Sequence, residues 1–138
     1  MATSTAAARR EEARFAYDAF LKECPTSQLL ARISDKWVGL IVCALGETDD
    51  RSLRYSDLGR KIPGVSQKML TQTLRSLERD GLVTRHVTPT VPVRVNYRLT
   101  DLGSSLGLLL SSVKLWAETN FDEVNAHRDA YDRASAAS

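Results

Sequence analysis

Apolar residues recur at three- and four-residue steps through most of this chain and switch to strict alternation in one stretch. The two periods separate helices from strands. Phe15, Ala16 and Phe20 form a stripe in an Ala/Glu/Arg-rich segment, which predicts a modestly hydrophobic helix over 7–21. Pro25 presets the first turn of the next helix, expected from Pro25 or Thr26 to Leu45. Leu29, Leu30, Ile33, Trp37, Leu40, Ile41 and Ala44 make it the central core helix, and Gly46 ends it. After the turn "ETDDRS", Leu53-Arg54-Tyr55 reads as a very short strand and Ser56 as the N-cap of a short helix to about Lys61. Ser66 then caps a helix running to Asp80, and Gly81 supplies the left-handed residue that stops it.

From Val83 the period becomes two. Val83, Val87, Val93, Val95, Tyr97 and Leu99 alternate with Arg85, Arg94, Asn96 and Arg98, the pattern of half-buried strands around a "TPTVP" tip. Thr100 caps a long last helix to about 120, in which Leu102, Leu106, Leu109, Val113 and Trp116 step by 4, 3, 4, 3. Residues 1–6 are expected to be disordered, and 121–138 to hold a shorter helix with a tail fraying from Ala134. The order is helix, helix, minute strand, helix, helix, hairpin, helix. This is a mainly α chain with a small β-hairpin, a single winged helix-turn-helix domain over 7–120 with its core at 25–99.

The helix after Ser66 carries the chemistry. Lys68, Thr71, Gln72, Arg75 and Arg79 fall within about a 100° arc, opposite Leu70, Leu74 and Leu77. The leucines account for docking, not for the other face. Arg and Lys bond guanine or phosphate, Gln pairs with adenine, and Thr reaches a base edge or a thymine methyl. Ser66 and Gln67 stand at the helix N-terminus, where free N–H groups favour a phosphate oxygen. A polar helix face is often merely solvated. Here no acid occurs from Ser66 to Leu77, and a ribbon bearing Arg85, Arg94 and Arg98, taken to point outward from the valines, follows. Arg94, nearest the tip, is the preferred wing contact. Charge points the same way: the net +2 conceals nine Lys/Arg against three Asp/Glu between Arg54 and Arg98.

Other chemistries lack their residues. Cys24, Cys43, His86 and His127 make no zinc-type pair, so no metal is expected, nor any other cofactor. No G-x-S-x-G, Walker A or G-x-G-x-x-G string occurs, and an enzyme is not expected. "WVGLIVCALG" is half a bilayer span, and the N-terminus is no export signal, so the cytoplasm is the expected location, with no membrane partner. Two cysteines make no disulfide framework. Cys43 reads as inert core, whereas Cys24, at the N-cap before Pro25, sits where the helix dipole favours thiolate, aided by Lys22 and opposed by Glu23.

The motifs "CP" at Cys24-Pro25, "DKW" at Asp35-Lys36-Trp37, "GVSQKMLTQTLRSLERDGLVTR", "VPVRVNYRLTDLG" and Trp116 resemble those of the HxlR-type winged-helix regulators, bacterial proteins related to the MarR group. The resemblance spans Cys24 to Ala117; Thr26 to Ile33 departs from the Gly-rich variants of the family pattern, and Ile33-Ser34 stands in place of its "IGG". It implies a homodimeric DNA-binding repressor or activator of detoxification or stress genes. It also places Ser66, Gln67, Lys68, Thr71, Gln72 and Arg75 on the recognition helix, and members with a cysteine at the position of Cys24 include sensors of oxidants, quinones or aldehydes. The expected function is therefore a sequence-specific repressor, binding a palindromic operator in double-stranded DNA as a homodimer. Its seam would involve Phe15, Leu106, Leu109, Val113 and Trp116, with Cys24 answering oxidants or electrophiles. Two alternatives stand beside it: a regulator triggered by a small molecule without thiol sensing, and a winged-helix module that binds protein instead of DNA.

Overall fold

The computed structural model describes residues 5–137, apart from the side chains of 19–23. The helices are α1 (Ala6–Glu23), α2 (Pro25–Ile33), α3 (Lys36–Gly46), α4 (Tyr55–Lys61), α5 (Gln67–Arg79) and α6 (Asp101–Ala137). The strands β1 (Ser52–Arg54), β2 (Val83–Thr88) and β3 (Arg94–Leu99) form one antiparallel sheet of order β1-β3-β2. The fold is a winged helix-turn-helix.

One core holds it together. Val38, Ile41, Val42, Ala44 and Leu45 of α3 meet Leu58 and Ile62 at α4, Leu70, Leu74 and Leu77 of α5, and Val83, Tyr97 and Leu99 of the sheet. Leucines at 70, 74 and 77 share one side of α5, so the helix can bury that side only by turning its opposite face outward. The Ser66 hydroxyl accepts from the Met69 N–H at 3.1 Å, as its capping position requires. At the far end Gly81 adopts φ +75°, closing α5 as expected.

The "TDLG" segment proves to be a clasp. The Thr100 hydroxyl accepts from the Gly103 N–H at 3.0 Å and donates to the Gly81 carbonyl at 2.7 Å, while the Thr100 N–H donates to the Leu82 carbonyl at 3.0 Å. One residue thus caps α6 and ties it to the end of α5.

Several expectations need correcting. The single core helix from Pro25 to Leu45 is two helices, because Asp35 accepts from the Trp37 N–H at 2.9 Å and starts α3 afresh. Consequently Leu29, Leu30 and Leu40 are exposed and the core draws on Val38 and Val42. Gly46 is the last residue of α3 and not a left-handed stop. In that connection Arg51 takes φ 60° instead, its carbonyl held by the Leu99 N–H at 2.9 Å and its guanidinium by Ser104 at 2.6 Å. α4 begins at Tyr55, so Ser56 is not its cap, and β1 extends the hairpin into a three-stranded sheet.

Residues 121–137 continue α6 without a break, since no Gly or Pro follows Gly107 and Ala, Arg and Glu favour the helix. Thr5 caps α1 by accepting from the Ala8 N–H at 3.1 Å, so residues 5 and 6 are ordered. The disorder expected of 1–4, and the influence of Lys22 and Glu23 on Cys24, fall outside the described residues. Val87 and Val93 are exposed, because the core reaches only the base of the ribbon.

Candidate nucleic-acid interface

α4, the turn at Pro63-Gly64 and α5 form the helix-turn-helix, with Gly64 at φ +80° in the turn. Of the residues singled out on α5, Ser66, Gln67, Lys68, Gln72 and Arg75 are exposed and Thr71 is half-buried. Between α5 and the wing lies an open groove of about 730 Å³. Gln67, Thr71 and Arg75 line one wall and Arg85 and Arg94 the other, with Arg54 and Tyr55 at the end nearest α4. Lys68 and Gln72 are not in the groove; they occupy the adjoining strip of the same helix.

Arg85 is misplaced by the sequence reading. It pairs with Tyr97 in the register and therefore shares the face of Val83 and Val87, opposite Arg94 and Arg98. From that inner face it lines the groove towards α5. Glu78 lines the groove too, one helical turn beyond Arg75, and neither it nor Tyr55 is among the residues expected there from the sequence. Glu78 continues the strip of Gln67, Thr71 and Arg75 at helical spacing, one residue past the acid-free stretch, whereas Tyr55 matters through an element distant in sequence.

Several cations are paired: Arg32 with Asp80, Arg51 with Asp101, Arg54, at the end of the groove, and Arg60 with Asp57, and Lys61 and Lys114 with Glu47. Among the described residues Lys68, Arg75, Arg79, Arg85 and Arg94 enter no ion pair. A concave surface with unneutralised guanidinium groups on both walls suits a polyanion that is long and thin. Among the described residues no three His, Cys, Asp or Glu side chains gather to hold a metal ion, and no helix is long and apolar enough to cross a membrane.

The model of the HxlR-like helix-turn-helix family matches residues 32–125, which take in this whole surface. The chain belongs to that family. It is a transcriptional regulator of the helix-turn-helix type. Its similarity to YtfH of Escherichia coli, an uncharacterized HTH-type transcriptional regulator, is 43% identity over 110 residues, covering 80% of this chain and 85% of YtfH. Among solved structures it resembles the reduced form of the redox regulator HypR, with TM-score 0.67 and 35% identity over 74% of this chain and 98% of that one. It also resembles the reduced transcriptional regulator YodB of B. subtilis, with TM-score 0.58 and 33% identity over 69% of this chain and 91% of that one.

In this HxlR-like chain Cys24 is the N-cap of α2, half-buried and free. Its sulfur makes no well-formed capping bond, yet the backbone N–H groups of Ser27 and then Thr26 hold its thiol below the ordinary range. Cys43 differs from expectation. It is half-buried beside α6, where burial raises its pKa, the nearby Lys114 lowers it and Glu47 adds to the rise. The two thiols should therefore separate in alkylation. With iodoacetamide followed by peptide mass spectrometry as pH rises, Cys24 is expected to label first, its rate levelling off below the pH of an unperturbed thiol, and Cys43 last.

The seam residues divide. Phe15, Leu109, Val113 and Trp116 are all more than half exposed, whereas Leu106 is buried at 8% by its own protomer and is corrected to a core contact. Its inward step follows from the close approach of α6 to α3 near Gly107.

Proposed function

We propose that this regulator is a cytoplasmic repressor that binds a palindromic operator in double-stranded DNA as a homodimer. Ser66, Gln67, Lys68, Thr71, Gln72 and Arg75 enter the major groove and Arg94 reaches the backbone beside it. The observation that carries this reading is the groove between α5 and the wing, with Arg75 on one wall and Arg85 and Arg94 on the other, none of them in an ion pair among the described residues. Residues 25–99 form the DNA-binding core. α1 and α6 meet their copies through Phe15, Leu109, Val113 and Trp116, apolar groups too exposed for a lone protomer. Two-fold symmetry then places the half-sites about one helical turn apart.

Selection of bound sites from random duplex DNA tests the reading. A palindromic site is expected, with log affinity falling linearly against log salt by about 0.9 per phosphate contacted. Recovery of no preferred sequence, or affinity indifferent to salt, would overturn it.

Cys24 is the proposed trigger, supported by its lowered pKa at the start of α2. The likeness to HypR, a redox regulator solved in reduced and oxidized forms, and to YodB, solved after diamide treatment, supports the same assignment. Diamide is expected to release the wild type from its site and to leave Cys24→Ser bound. A second trigger is favoured by an apolar cleft of about 320 Å³ behind α5, lined by Leu29, Val38, Leu77, Leu102, Leu106 and Leu109. A small apolar effector there would touch α5 and α6 at once, and would still act on Cys24→Ser.

A further inference from the structure

Tyr55 opens α4 and reaches across to α5. Its phenol oxygen lies 2.8 Å from Thr71 Oγ1 and 3.2 Å from the Gln67 carbonyl oxygen. A phenol carries one proton and a carbonyl oxygen can only accept. With one proton to each bond, both contacts are satisfied when the phenol donates to Gln67 and Thr71 donates to the phenol. The Thr71 proton is then spent inside the protein. What Thr71 turns to the groove is the remaining lone-pair side of its oxygen. Thr73, two residues on, shows the other course open to such a hydroxyl, donating to the Met69 carbonyl at 2.7 Å.

We propose that Tyr55 is a positioning residue that fixes the hydrogen-bond polarity of Thr71, so that Thr71 selects an amino-bearing base, adenine or cytosine, on the strand it faces. This rests on the DNA-binding reading above. In the major groove adenine N6 and cytosine N4 are donors, whereas guanine N7 and O6 and thymine O4 are acceptors. A threonine free to rotate serves either kind. One whose proton is committed to Tyr55 is an acceptor alone, and a base acceptor opposite it leaves two lone pairs facing each other. Arg75 and Gln67 line the same groove without any such internal bond from their side chains, so the constraint is particular to Thr71.

Site selection from random duplex DNA with four proteins tests this. Thr71→Ala identifies the base position that Thr71 reads. At that position the wild type is expected to enrich adenine and cytosine by about fivefold, the value of one hydrogen bond. Tyr55→Phe is expected to relax that position alone, leaving the rest of the site and the melting temperature close to wild type. Thr71→Ser, which keeps the hydroxyl, is expected to keep the preference.

The inference fails if Thr71→Ala changes no position, or if the position it changes favours guanine or thymine. It fails equally if Tyr55→Phe weakens binding to all sequences without altering the profile, the signature of a purely structural tyrosine. A wild type that selects no sequence sinks the DNA reading itself, an outcome separate from these.

Discussion

Arg75→Ala is expected to lower affinity for the selected site by about 1–3 kcal/mol, roughly five- to a hundred-and-fiftyfold, with the fold unchanged. Arg75 stands where the two strips of α5 meet: it lines the groove with Thr71 and is also adjacent to Gln72 and Arg79 on the helix surface. Its guanidinium is exposed and enters no ion pair among the described residues, so removing it breaks no contact that stabilises the protein. Fluorescence anisotropy on labelled duplexes measures the affinity, and circular dichroism melting checks the fold. The loss should concentrate on the specific site, because a base contact discriminates while a phosphate contact does not. Arg94→Ala, by contrast, is expected to weaken specific and random DNA alike and to reduce the salt slope. Undiminished function in Arg75→Ala would favour the module that binds protein instead of DNA.

Gly103→Ala is expected to destabilise the domain by roughly 3 kcal/mol, the upper range for forcing atoms into a packed site. A Cβ there would collide with the Leu82 carbonyl and crowd Leu99 Cδ2 at 3.1 Å. The obstacle is backbone, and that same carbonyl is already fixed by the Thr100 N–H, so it cannot swing aside. α6 would have to lift from the end of α5, breaking the Thr100 clasp. Gly107→Ala is the control. Its Cβ meets only Val42 Cγ1 at 3.5 Å, an ordinary contact, and the change is expected to stay within about 1 kcal/mol of wild type. Urea unfolding at fixed protein concentration compares the two, and equal stabilities would refute the clasp.

The sequence was most legible where a residue's role depends on its near neighbours. Ser66, Gly81 and Thr100 are caps because of what lies within four positions of each, and all three are found in those roles. The division of α5 follows from leucines at 70, 74 and 77, and no other arrangement buries them. Local pattern overreached where apolar spacing ran across a cap: Leu29 to Ala44 keeps helical steps through Asp35, yet the carboxylate of Asp35 starts a new helix.

By itself, then, the amino-acid order determined the element types, the two-sided character of α5, the basic centre of the chain and the motifs shared with its family. These are properties of composition and of contiguous stretches, where charge balance and helix and strand periods are expressed directly. Tertiary structure alone decided that the ribbon folds over α5, so that Arg85 and Arg94, from opposite faces of the ribbon, both line the groove. It decided that Leu106 is core while Leu109 is surface, and that the Tyr55 phenol comes within hydrogen-bond distance of Thr71. Those outcomes depend on which surfaces meet, and contacts between distant segments are set by packing, not by any period within the segments themselves.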